Sequence, residues 1–175
     1  SPTQMPAATL AGGKLSGTKS PVIDGLVATV AIVTIATPEG PAMAIAALDG
    51  TTREKQDTLD LVRPSAKITF AGTPAEALGT AADWVRLTER MAVLASWEAL
   101  GTADAAREMT VAYAKDRVAF GQRIGRYQGV KHKLADMYIK AELARAHALH
   151  GCWAWGAGAP ELAQAASAAR VSSLD

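Results

Sequence analysis

From Trp84 onward the apolar residues of this chain recur every three or four positions, a period that admits little other than packed helices. Trp84, Leu87, Met91, Leu94, Ala95 and Leu100 follow it with Glu98 as a charged member, and it continues past Gly101 through Ala105, Met109, Ala112 and Tyr113. A second stripe uses Val130, Leu134, Met137, Ala141, Ala144 and Ala148. Its alanines predict close helix packing, since the distance between helix axes is set by the side chains at the contact. Gly156 to Pro160 breaks that stripe, and Pro160 with Glu161 opens a third helix that runs into the C-terminus.

The first seventy residues have another texture. Val27 to Ile35 is a β-branched run too short and too branched to favour a helix, and Pro38 with Gly40 ends it. Met43 to Leu48 and Ala66 to Phe70 read as further strands, with Asp49-Gly50 as a turn between them. Gly12-Gly13 predicts an early hairpin joining Ala7–Leu10 to Lys14–Leu15. Gly72, Pro74 and Gly79 read as a linker between this antiparallel β-unit and the helices, so the expected class is α+β with domains over 1–74 and 75–175.

Several function classes are excluded by what the chain contains. A single cysteine, Cys152, forbids an internal disulfide and a multi-cysteine zinc site, and reads as a helix-packing thiol in a reducing compartment. The longest apolar run, around Leu26 to Thr37, is too short for a membrane span and is interrupted by Thr29 and Thr34. With no basic n-region ahead of an apolar segment, the expected location is cytoplasmic. Neither a phosphate-loop motif nor a hydrolase elbow is present. His147 and His150 read as helix-surface residues without a carboxylate to complete a metal site, and Trp153 and Trp155 as interface or core aromatics.

The local chemistry concentrates between the two long helical stripes. Lys115 to Lys140 holds seven cations (Lys115, Arg117, Arg123, Arg126, Lys131, Lys133, Lys140) against Asp116 and Asp136, in a chain of net charge +1. The overall balance argues against a nucleic-acid footprint. Gly121 and Gly125 bracket Gln122, Arg123 and Ile124, so the chain turns sharply there, with Arg117 in the last turn of one helix and Phe120 just past its end. Two readings are open. One is a seat for a phosphate-bearing nucleotide, with a planar five-donor fork beside an aromatic face. The other is a basic helix cap with Phe120 as a hydrophobic plug between helices.

The order Arg117, Phe120, Gly121, Ile124, Tyr127, Gln128, Val130, His132, Leu134, Ala135, Asp136, Met137 resembles the signature of the acyl-CoA dehydrogenase family's C-terminal helical domain. With Tyr113-Ala114 upstream and Glu142 to Arg145 downstream, the resemblance spans about Gly79 to Asp175 and is weaker before that. It implies a partial middle β-domain followed by an up-down helical bundle, incomplete at both ends, with FAD at the interface between subunits of a homo- or hetero-oligomer. Arg117 then resembles the arginine that reaches the FAD pyrophosphate of a neighbouring subunit. Phe120, Tyr127 and Gln128 stand at or beside cofactor-lining positions, while His132 and Asp136 read as structural. The implied reaction is α,β-dehydrogenation of an acyl-CoA, with electrons passed to an electron-transfer flavoprotein.

In most members the catalytic glutamate follows the third helix, and the chain stops at Asp175 before that point, so the expectation is a fragment. Some members place the base near the start of the first helix of this domain, beside an arginine, which makes Glu89 the candidate base and Arg90 a candidate contact to the CoA portion. The bland reading of Glu89 is a first-turn acid that favours the helix dipole, and of Arg90 a surface cation. In the β-unit, Gly17, Thr18, Lys19 and Ser20 keep the frame of the family's flavin-facing stretch, but Pro21, Val22, Ile23 and Asp24 replace its aromatic, isoleucine, hydroxyl and asparagine positions. Neither Pro21 nor Ile23 has a side-chain donor. That departure implies a rival role, a non-catalytic structural subunit of a heteromeric complex.

Overall fold

The computed structural model describes residues 7–60 and 62–174, so the expected chain ends, Ser1 and Asp175, lie outside the described residues. The chain divides into two compact units, Ser1–Arg86 and Leu87–Asp175.

The first unit is an antiparallel sheet. It contains β1 (Thr9–Ala11), β2 (Lys14–Ile23), β3 (Val30–Thr37), β4 (Gly40–Ala47), β5 (Thr52–Gln56) and β6 (Ser65–Leu78), in the order β1-β2-β6-β4-β3 with β5 added on β6. Period-two alternation builds the core: Val33 and Ile35, then Ala42, Ala44, Ala46 and Leu48, then Ala66, Ile68 and Phe70 all point inward. The expected hairpin at Gly12-Gly13 is present, with φ of +56° and +73°. The expected linker is not. Gly72 and Pro74 lie within β6, where Gly72, at φ +76°, is the extra residue of a bulge opposite Leu15 and Ser16. The bulge bends one long strand so that its first half pairs with β2 and β5 and its last residues pair with β4.

The second unit is helical, formed from α1 (Ala81–Asp116) from Leu87 onward, α2 (Gln128–Ala157) and α3 (Leu162–Ser172). Thr80 caps α1: its amide and hydroxyl both donate to Asp83 Oδ2, at 2.8 and 2.7 Å. The three helices meet at Gly151, where a Cβ would lie 3.1 Å from Val93 of α1 and 3.7 Å from Ala169 of α3. Buried Ala141, Ala144, Ala148 and Ala154 of α2, with Ala165, Ala166 and Ala169 of α3, are the close packing that the alanine stripe predicts. The expected face of α1 is corrected. Leu100 is buried as expected, but its companions are Val93 and Ser96, whereas Met91, Leu94, Met109 and Tyr113 are exposed, because apolar residues occupy two sides of this helix and only one meets α2 and α3. Gly158, at φ +62°, ends α2, and the Ala159 amide donates to the Ala154 carbonyl at 2.9 Å.

Candidate cofactor-binding site

Between α1 and α2 the chain forms a minimal hairpin where the sequence suggested only a loop. The Arg117 amide donates to the Tyr113 carbonyl and closes the last turn of α1. Strands β7 (Val118–Ala119) and β8 (Gln122–Arg123) then pair, and the Ile124 amide returns to the Arg117 carbonyl at 2.8 Å. Phe120 and Gly121 make the turn at φ +51° and +80°, two left-handed residues in succession, as a type I′ turn requires. A 3-10 turn, Ile124–Arg126, leads into α2.

The tip residue overturns the plug reading. Phe120 is 97% exposed, so it fills no space between the helices of this chain. A bulky residue at positive φ is uncommon, and here the turn geometry holds its ring outward. Arg117 and Gln128 are also exposed, and Arg117, Arg123 and Arg126 have no ion-pair partner among the described residues. The α2 N-terminus has no side-chain cap. The Val130 and Lys131 amides donate to the Tyr127 carbonyl, which leaves those of Gln128 and Gly129 without a backbone partner among the described residues. Tyr127 differs from its neighbours: it is half-buried, and its hydroxyl donates to the Ala119 carbonyl at 2.8 Å.

Glu89 and Arg90 stand elsewhere. They lie on α1, roughly 40 Å along the helix axis from Arg117, so this chain does not bring them beside the hairpin. Glu89 is not a first-turn acid, since the helix begins at Ala81 and Asp83 occupies that position. The Arg90 guanidinium sits 5.5 Å from the centre of the Trp155 ring, a cation–π contact the sequence did not suggest. His150 stacks on Trp153 with ring centres 5.7 Å apart. Among the described residues no group of three or more His, Cys, Asp or Glu is placed to hold a metal.

In the β-unit, the register of β2 on β6 shifts between Lys19 and Val22, so Ser20 and Pro21 drop out of the ladder. The Ser20 hydroxyl donates to Gln56 Oε1 at 2.6 Å, and Ile23 is exposed without offering a donor. Lys19 Nζ donates to Thr34 Oγ1 at 2.6 Å, and burial holds its pKa below the usual lysine value.

Residues 87–173 match the family described as acyl-CoA dehydrogenase, C-terminal domain. Acyl-CoA dehydrogenase IpdE2 of Mycolicibacterium smegmatis is 38% identical over 98 residues, 56% of this chain and 30% of that protein. The short-chain-specific acyl-CoA dehydrogenase of Megasphaera elsdenii is 40% identical over 76 residues, 43% of this chain and 20% of that one. Among solved structures, a variant of the Tcur3481-Tcur3483 steroid ACAD superposes with a TM-score of 0.87 at 30% identity, over 96% of this chain and 47% of that one. Butyryl-CoA dehydrogenase from Megasphaera elsdenii gives 0.83 at 25%, over 97% and 49%. The chain belongs to the acyl-CoA dehydrogenase family. It spans less than a third of IpdE2 and about half of each solved relative. No helix of the described residues is long and apolar enough to cross a membrane.

Proposed function

We propose that this chain is part of an FAD-dependent acyl-CoA dehydrogenase and contributes Arg117, Phe120 and Gln128 to a cofactor site at a subunit interface. The observation that carries the reading is the hairpin itself, which lies within the family match and joins a guanidinium with no ion-pair partner among the described residues, an outward aromatic ring and a helix start with no side-chain cap. Those groups fit FAD by their donor chemistry. Arg117 grips the pyrophosphate through paired N–H bonds. The free amides of Gln128 and Gly129 offer further donors at the positive end of α2. Phe120 would offer FAD an apolar face and Gln128 an amide donor and acceptor. Exposed side chains of this kind serve a site completed by a second subunit, alike or unlike.

When bound, FAD would supply the acceptor for hydride leaving the β-carbon of an acyl-CoA, with an electron-transfer flavoprotein as the expected electron acceptor. Removal of the α-proton needs a carboxylate within hydrogen-bond reach of that carbon. Glu89 is the candidate in this chain, and Arg90 the candidate contact to CoA. Both act at a site other than the hairpin of the same chain.

A second reading, a non-catalytic structural subunit of a heteromeric complex, is favoured by the β-unit. Pro21 and Ile23 have no donor for a flavin edge, and the nearby Ser20 hydroxyl is taken by Gln56. The flavin spectrum and subunit stoichiometry of the parent protein, purified alone and after co-expression with its genomic neighbour, separate the two. One FAD per subunit in the protein alone supports a homo-oligomeric dehydrogenase. Flavin acquired only with the partner supports a shared site, and none under either condition rejects the cofactor reading.

A further inference from the structure

A hairpin with two-residue strands has almost no stability of its own. Even full-length two-stranded hairpins are marginal in water, and this one also contains a phenylalanine in the left-handed region. Something outside the ladder must hold it. Among the described residues one side chain does so: the Tyr127 hydroxyl, just before α2, donates to the carbonyl of Ala119, the residue just before the tip, at 2.8 Å. The Phe120 carbonyl lies at the edge of reach, at 3.5 Å. The bond therefore ties the last residue of β7 to the first residue before α2 and spans the strained turn between them.

We infer that Tyr127 is a positioning residue, whose hydroxyl holds the Val118–Arg123 hairpin in the shape that presents Arg117 and Phe120, rather than a cofactor contact in its own right. The inference rests on the cofactor reading above. It also changes the role expected from the motif, in which Tyr127 stood beside the cofactor-lining residues. A hydroxyl that donates its one proton to a main-chain carbonyl cannot donate it to a ligand at the same time. A phenylalanine here would fill the same half-buried space and lose only the tether. Arg117 is fixed through its backbone, because its carbonyl accepts the Ile124 amide across the hairpin base, so a loosened hairpin also loosens the guanidinium.

The test is Tyr127→Phe, with Arg117→Ala as reference, in the full chain with whatever subunit completes the flavin site. Two quantities are read: amide hydrogen exchange at Phe120, Gly121 and Gln122 in the flavin-free protein, and the dissociation constant for FAD. The expected result is faster exchange confined to the hairpin, a melting temperature lowered by no more than about 2–4 °C, and FAD binding weakened about three- to tenfold, the size of one net hydrogen bond. Unchanged exchange overturns the tether, whatever the flavin does. Faster exchange with unaltered FAD affinity, while Arg117→Ala weakens it, overturns the positioning role and leaves the cofactor reading intact. If Arg117→Ala also leaves FAD affinity unaltered, the cofactor reading itself fails and the positioning role falls with it. A drop in melting temperature equal to that of an unrelated core variant, with exchange raised across α1 and α2, would mark Tyr127 as merely structural and overturn the inference.

Discussion

Gly125 packs so closely on Ala114 that a Cβ added to it would lie 2.8 Å from the Ala114 carbonyl oxygen and 3.3 Å from its carbon. The contact sets the last turn of α1 against the 3-10 turn that leads into α2, and it is backbone against side-chain space, so neither partner yields cheaply. Gly125→Ala is expected to destabilise the protein by about 1–3 kcal/mol, the usual cost of overpacking, read as a lower denaturation midpoint at unchanged slope. Gly121→Ala tests a different cause at the same hairpin. Nothing lies within 4 Å of its would-be Cβ, so any loss there comes from the positive φ alone. A smaller loss than at Gly125 is expected.

Arg117→Ala follows from the proposed pyrophosphate contact. A charge-assisted bond contributes about 1.5–3 kcal/mol, so FAD affinity should fall by roughly ten- to a hundredfold or more. Stability without flavin should barely change, since the guanidinium has no ion-pair partner among the described residues. Absorbance of retained flavin after gel filtration reads the first effect, and thermal melting of the flavin-free protein reads the second. Unchanged flavin content would return Arg117 to the status of a surface cation.

Parts of this architecture were legible because one residue type answers one local demand. Two adjacent glycines announced the first hairpin, and the Gly156 to Pro160 run announced the end of α2. The second hairpin was hidden because its first turn position holds phenylalanine, which no turn propensity favours and which only the surrounding tethers keep in place. Strand β5 was hidden by its composition: Thr52–Gln56 is wholly polar with three charged residues, and among the described residues it pairs with β6 alone, where an edge strand buries little and gains from charge. The linker expected at Gly72 and Pro74 shows the same ambiguity in reverse, since a glycine that breaks a strand and one that bulges it leave the same mark in a sequence. At the candidate site, the residues proposed to meet the cofactor, Arg117, Phe120 and Gln128, were readable from the motif. The part played by the Tyr127 hydroxyl was not, because it depends on where the Ala119 carbonyl points.

Arg53 is a stability prediction from the β-unit. Its Nη1 donates to the Ala28 carbonyl and its Nη2 to the Leu48 carbonyl, both at 2.8 Å, so a single guanidinium fastens the turn before β3 to the turn after β4. Arg53→Ala should destabilise by about 1–3 kcal/mol, because the Ala28 carbonyl loses its donor in a partly buried place. Arg53→Lys should recover little of it, as one ammonium cannot span two carbonyls in the fixed fork of an arginine. Denaturant midpoints of the three proteins decide the matter, and full recovery by lysine would show that charge alone suffices.

Asp104 is expected to contribute to the pH dependence of the helical unit. On α1 it accepts a hydrogen bond from Arg145 of α2, and Arg107 approaches its other oxygen at 3.3 Å while lying 5.4 Å from the Tyr138 ring. The Arg145 hydrogen bond, aided by the charges of Arg145 and Arg107 and opposed by burial, holds the Asp104 carboxyl below its ordinary 3.8. A carboxylate whose pKa is lower folded than unfolded contributes stability that is complete above the unfolded value and fades as pH falls through the folded one. Asp104→Asn should therefore lower the melting temperature at pH 7. The gap between wild type and variant should hold down to about pH 4 and close below it as the wild-type carboxylate takes up its proton. A gap independent of pH across that range would mean that the amide loses a contact of shape rather than charge, and would remove Asp104 from the acid response of the bundle.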